Sequence, residues 1–216
     1  MEITKLQWLD KKKCIVYIDY EIAFVLYKGD LRKYDLNEGG EFSEEILQEI
    51  MCQLLPKRAK LRLLHLLEKR DYTELQLRRK LEEGKYPEAV IEEALGYVKD
   101  YGYVNDKNYA RRYFECYGER KSKGEIRRKL REKGISPAVI AVAIDEWIDA
   151  GGGRNEEGII EALLIKRHFI ERSHERKEWN KQELYLLGKG FDKTAIRRVM
   201  KRMGTTQNVN RKSRKN

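Results

Sequence analysis

The sequence predicts a mainly α-helical fold: three tandem three-helix repeats in an elongated array, preceded by a small N-terminal β-strand segment and a helix. Three observations predict it. Apolar positions recur at a constant spacing, Leu81 aligning with Leu130 and its neighbours keeping the same offset of 49 residues. Helix-capping residues recur with them, Thr73 and Ser122 standing at equivalent places. The composition, 38% charged and 41% hydrophobic, is more charged than the roughly 25% of an ordinary globular domain. It supports a thin core, which suits stacked helices better than one compact globule.

The first 56 residues form a small β-containing extension with a helix. ITKLQWL at 3–9 alternates apolar and polar, while CIVYIDY at 14–20 and IAFVLYK at 22–28 are β-branched and aromatic. DKKK is the turn after the first strand, and Gly39–Gly40 is a second turn signal. Ser43 is placed to cap a helix over 44–55, which Pro56 either breaks or follows by opening the next one.

From residue 57 the apolar spacing is helical and repeats. Leu77 matches Ile126, Tyr86 matches Ile135, Ile91 matches Ile140, Ala94 matches Ala143, and Val98 matches Trp147. A third copy keeps the spacing with little identity: Gly190 matches Gly134, Phe191 matches Ile135, and Ile196 matches Ile140. Recurrence on this scale marks stacked supersecondary units. The units are 57–106, 107–153 and 154–204. Their helices are predicted at 57–70, 74–83 and 87–100; at 107–120, 123–133 and 137–149; and at 156–173, 181–189 and 193–203. Thr73 with Gln76 and Ser122 with Glu125 read as capping boxes, and Asn180 with Glu183 as a third. Gly134 and Gly190 end second helices in the left-handed conformation, and Ser136 then caps the next helix with Pro137 in its first turn. Residues 205–216 are almost devoid of apolar side chains and are predicted to be a disordered basic tail.

Net charge is +10, but it is unevenly spread. Residues 1–56 hold seven Lys/Arg and eleven Asp/Glu, a sum of −4, so the rest carries +14. An acidic leading segment and a basic body point to a polyanionic partner. The candidate contact residues are the outward cations of the repeats. They are Arg78, Arg79 and Lys80; Arg111 and Arg112; Lys123, Arg127, Arg128, Lys129 and Arg131; and Arg197, Arg198 and Lys201. Lys123, Arg127 and Arg131 recur every four residues, so they share one stripe of a helix. Tyr113 and Tyr117 share a stripe with Ala110 and Phe114 and are read as core rather than as base-stacking residues.

No catalytic constellation is present in the sequence, and no cofactor or metal is expected. His65, His168 and His174 are scattered, and no phosphate-binding glycine loop precedes a Lys-Ser/Thr pair. Asp100 and Asp106 could hold a metal in a nuclease, but Gly102 as a turn and Asp106 as a helix cap account for them. Cys14, Cys52 and Cys116 are odd in number and dispersed, which fits a reducing cytoplasm. No apolar run is long enough to span a bilayer, so no membrane association is expected.

Three groups of residues resemble the RecX family of recombination regulators. They are E-L-x-L-R-x-K-L at 74–81, G-Y-V-N-D-x-x-Y-A at 102–110 and I-R-R-x-L-x-x-K-G-I at 126–135. L-L-G-K-G-F at 186–191 is similar to the family's last repeat. The resemblance spans about 57–204. It implies a curved array of three-helix repeats. It also implies a partner, the RecA recombinase filament on single-stranded DNA. A monomer is expected, with duplex DNA as a further expected ligand. Family members restrain that filament's assembly, ATP hydrolysis or strand exchange. The third repeat departs from the pattern, since Gln182 stands in an apolar slot and Gly188 weakens its helix. The alternative reading is a transcription regulator using 122–150 as a DNA-reading helix-turn-helix.

Overall fold

The computed structural model describes residues 1–41, 43–153, 155–169 and 176–213, with side chains as far as Gly204. The fold is mainly helical with one small sheet, and the chain divides into two compact units, Met1–Asn105 and Asp106–Asn216.

In the first unit, β1 (Ile3–Trp8), β2 (Lys13–Ile18) and β3 (Glu21–Tyr27) form an antiparallel meander in the order β1-β2-β3. Asp10 turns the first hairpin, its Oδ1 accepting the Lys12 and Lys13 amides at 2.6 and 2.9 Å. The second hairpin closes on two residues, Asp19 and Tyr20, both at positive φ, a twist that matches that of the flanking strands. A short helix that strand alternation does not predict follows, α1 (Lys28–Lys33). The Asp30 carboxylate starts it by accepting the Tyr27 amide at 2.7 Å.

Ser43 caps α2 (Glu44–Glu49) through the Ile46 amide. The helix neither stops nor restarts at Pro56. It widens into a π-helical turn, Ile50–Leu54, and runs on as α3 (Leu55–Leu67) with Pro56 in the first turn. A proline inside an α-helix has no N–H for the carbonyl four residues back and clashes with it. The wider turn, in which the Leu55 amide reaches the Ile50 carbonyl, absorbs that defect. α4 (Glu74–Glu83) and α5 (Glu88–Asp100) complete the unit. Thr73 and Gln76 form the complete capping box of α4. The sheet and α3–α5 share one core: Cys14, Val16, Phe24 and Leu26 belong to the same buried cluster as Leu63, Leu77, Leu81 and Leu95.

In the second unit, α6 (Asp106–Tyr117) packs on α8 (Pro137–Asp149), and α7 (Lys123–Glu132) lies against both. Their core is Ala110, Phe114, Ile126, Leu130, Ile140, Ala143, Ile144 and Trp147. Ser122 caps α7, but Glu125 gives its carboxylate to Lys121 instead of returning it to the cap, so only half of the predicted box forms. Gly134 has φ 90° and ends the turn before α8, which Ser136 caps through the Val139 amide. Asp106 is already the first residue of α6, so it is not the flanking cap the sequence predicts.

The third copy departs most from its prediction. α9 (Glu156–Lys166) ends where His168 adopts φ 56°; of the predicted remainder to 173, residues 170–173 lie outside the described residues. α10 (Arg176–Gly188) starts earlier than predicted, so Asn180 is inside the helix and caps nothing. α11 (Lys193–Ser213) extends past 203. Helical backbone therefore occupies 205–213, where the sequence predicts a disordered tail; no proline interrupts it, and extending a nucleated helix is far easier than starting one. Residues 214–216 lie outside the described residues. Gln182 does fill the slot held by Leu77 and Ile126 elsewhere, and it is just as buried. Its amide is satisfied by Arg167 Nε at 2.5 Å and by the Glu178 carboxylate, so the apolar slot is replaced by a bonded polar cluster.

Candidate nucleic-acid interface

The predicted cations lie on α4 and α7, the second helices of the first two repeats, on α6, and on α11, the last helix of the third. On α7, Ile126 and Leu130 are fully buried, which turns Arg127 and Arg131 outward. Both are exposed, one turn apart, and neither has an acidic partner among the described residues. Lys123, the predicted third member of their stripe, does not face solvent with them. It is half-buried, with its ammonium 3.7 Å from Glu156 of α9. Arg128 and Lys129 share Glu132, at 4.0 and 2.8 Å. The stripe is therefore narrower than predicted: two arginines without an acidic partner among the described residues, beside two cations that share one carboxylate. Arg120, in the turn after α6, is exposed and also lacks an acidic partner among the described residues. Helix periodicity cannot single out a turn residue of this kind.

The other predicted cations are placed differently. Arg78 is mostly buried and ties α4 to α5, reaching Glu88 at 2.6 Å and Glu92. The hydrogen bond to Glu92 raises its pKa further, so it braces α4 against α5. Lys80 pairs with Glu83 at 2.7 Å, whereas Arg79 is exposed with no acidic partner among the described residues. Arg111 is exposed and 3.7 Å from Glu115, and Arg112 is exposed beside it. Arg197 reaches Glu183 at 2.8 Å, and Arg198 shares Glu157 with Arg202. Hydrogen bonds from those two arginines hold the Glu157 carboxyl below its usual range. Lys201 is exposed. The basic face of the third repeat is thus largely an ion-pair lattice between α10, α11 and α9.

The tyrosines of α6 are only partly core. Ala110 and Phe114 are fully buried, but Tyr109 and Tyr113 are half-buried and Tyr117 is exposed. They form a ladder along one flank, with ring centroids 6.3 and 4.6 Å apart. Lys133 lies over Tyr109 and Lys121 over Tyr117. A run of tyrosine rings edged by lysines is one element of a surface that can track a nucleic-acid strand.

The geometry does not favour a base-reading helix-turn-helix. α7, the Gly134 turn and α8 have the right connectivity. The reading helix of such a motif lies against a polyanion, and here that helix would be α8, PAVIAVAIDEWID. It carries two aspartates, one glutamate and no Lys or Arg. The cations all sit on the preceding helix. Asp100 closes α5 and Asp106 opens α6, with Gly102 at φ 70° in the turn between them. No cluster of three or more metal-ligating residues occurs among the described residues, and none of their helices is long and apolar enough to cross a membrane.

The family model for RecX, first three-helix domain, matches residues 59–97, which are α3 to α5. The regulatory protein RecX of Clostridium acetobutylicum is 31% identical over 213 residues, covering 95% of this chain and 98% of its own. The regulatory protein RecX of Clostridioides difficile is 27% identical over 87% of this chain and 88% of its own. A crystal structure of a regulatory protein RecX aligns with a TM-score of 0.62 and 25% identity, over 92% of this chain and 98% of that one. RecX from Lactobacillus salivarius shares the fold, with a TM-score of 0.56 over 69% of this chain and 96% of its own. With a relative matched at this identity over nearly its whole length, and with the fold in agreement, the chain belongs to the RecX family of regulatory proteins.

Proposed function

We propose that this protein is a non-enzymatic cytoplasmic regulator that binds the RecA recombinase filament on single-stranded DNA and restrains its assembly, ATPase and strand exchange. One observation carries the nucleic-acid half of this reading: Arg127 and Arg131 stand exposed, one turn apart and without acidic partners among the described residues. Several of the other candidate cations already pair with carboxylates inside their own unit. An unpaired arginine releases counterions when it meets a phosphate, whereas a paired one must first lose its carboxylate. Arg79 on α4 offers a similar contact from the first unit. The RecA half rests on family membership. In this reading the repeats at 57–106, 107–153 and 154–204 act together as a monomer, each adding a weak contact that multivalency multiplies.

The test is to add the protein to preformed RecA filaments on single-stranded DNA and follow ATP hydrolysis and co-sedimentation. A concentration-dependent fall in hydrolysis with co-sedimentation is expected. Unchanged hydrolysis and no co-sedimentation at several-fold excess over RecA refute the proposal.

A further inference from the structure

Between the sheet and the first three-helix unit lies a cavity of about 130 Å³, lined by Lys13, Tyr27, Arg58, Arg62, Glu83 and Tyr86 together with Gly84. Its charges do not cancel. Arg58 is satisfied, gripping Asp30 with both terminal nitrogens at 2.5 and 2.7 Å. Glu83 is engaged by Lys80 at 2.7 Å. Arg62, one turn after Arg58 on α3, has no acidic partner among the described residues, and its Nε is buried without a hydrogen bond. Lys13 on β2 has its ammonium 5.8 Å over the Tyr27 ring; the Asp10 carboxyl of the first hairpin lies within electrostatic reach of it, but the two form no close ion pair among the described residues. Leaving a buried charged donor unsatisfied is costly, so such a group in a native fold needs an explanation.

The repeat pattern marks the same place. The residue after the second helix is buried Ile135 or Phe191 in the other two copies, but here it is Tyr86. The glycine is also displaced by one. Lys85 takes the positive φ that Gly134 and Gly190 take elsewhere. Gly84 instead makes room for the Tyr86 ring, since a Cβ there would come within 2.9 Å of it. Burial pushes the Tyr86 hydroxyl up from its ordinary value, so it stays a protonated donor. This unit has therefore exchanged an apolar plug for a hydroxyl beside Arg62, whose Nε is unsatisfied.

We propose that this cavity binds a phosphate group, received by the Arg62 guanidinium and the Lys13 ammonium with Tyr86 as a further donor. The volume suits a group the size of one phosphate and is well below the roughly 300 Å³ at which pockets for drug-sized ligands begin. Arginine and lysine converging from two elements suit a tetrahedral oxyanion. The phosphate is either free or the terminal phosphate of a nucleic-acid strand. The site is separate from the α7 arginines and does not depend on the RecA reading.

The experiment is thermal unfolding of the full chain in sodium phosphate and in sodium chloride at matched ionic strength. A second arm compares a 5′-phosphorylated oligothymidylate with the same strand lacking that phosphate. A rise of about 3 °C with a phosphate-bearing probe at tenfold over half-saturation is expected. The rise disappears in Arg62→Met and persists in Arg127→Ala/Arg131→Ala. A rise with inorganic phosphate assigns a free ligand, and one confined to the phosphorylated strand assigns a nucleic-acid end. Should Arg62→Met melt below the wild type in chloride, Lys13→Met supplies the same comparison. No rise with either probe, or a rise undiminished in these variants, overturns the proposal.

Discussion

Replacing Arg127 and Arg131 together by alanine removes two exposed cations that hold no carboxylate among the described residues. Neither touches the core of α7, which is Ile126 and Leu130, and alanine is the better helix former. The fold should survive with unchanged helical circular dichroism. Each phosphate contact on a single strand contributes a slope of about −0.7 to the dependence of log affinity on log salt. Losing two contacts flattens that slope by about 1.4, which at 0.1 M salt is a roughly 25-fold loss of affinity. The assay is fluorescence anisotropy with a labelled oligothymidylate across a salt series, with circular dichroism in parallel. Alanine at Lys129, already paired with Glu132 at 2.8 Å, should change the slope far less. A wild-type slope in the double variant, with helix content intact, would show that the two arginines only solubilise the helix.

Other perturbations test the packing that sets up this surface. Gly124→Ala should destabilise the second unit by about 1–3 kcal/mol in urea unfolding, because its Cβ would meet the Gly190 carbonyl oxygen at 2.5 Å. Gly188→Ala, in α10 with nothing within 4 Å of its Cβ, should instead add about 0.5–1 kcal/mol. Ser122 both caps α7 and donates its hydroxyl to the Lys189 carbonyl. Ser136 only caps α8, so Ser122→Ala should cost about twice the ~1 kcal/mol of Ser136→Ala by denaturant titration. For Asp30, burial acts to raise the carboxyl pKa, but the Arg58 hydrogen bonds and the Tyr27 amide outweigh it and leave the pKa below the ordinary 3.8. Because the folded value is depressed, this stability is present above pH 3.8 and is lost as pH falls through the folded pKa. Asp30→Asn should flatten the acid limb of the stability curve and lower stability near neutrality by about 3 kcal/mol.

Much of the fold was legible along the chain because its signals are local. Thr73, Ser122 and Ser136 announced their helices, since a cap needs only a side-chain oxygen and an amide two or three residues on. Alternation at 3–9 and the β-branched and aromatic runs at 14–20 and 22–28 announced the sheet. The misses share a cause. α1 depends on Asp30, which is held in place by Arg58 far along the chain. Asn180 looked like a cap because Gln182 hid the apolar rhythm of α10, and Gln182 is tolerated only through Arg167 and Glu178. The acidic leading segment looked separable, yet its sheet is built into the core of α3 to α5. Removing it would strip the packing from those helices.

The repeat, the caps that phase it, and the burial of Ile126 and Leu130 that turns Arg127 and Arg131 outward can all be read along the chain. These depend on a periodicity of 3.6 residues and on bonds between near neighbours. Which cations remain available is a matter of packing. Arg78, Arg127 and Arg198 are the same residue type on the outer faces of repeat helices. Arg78 is spent on Glu88 and Glu92, and Arg198 on Glu157, carboxylates from other helices, whereas Arg127 is not. A charge is cancelled by whatever lies within a few ångströms, and that neighbour is set by packing between helices, not by adjacency along the chain.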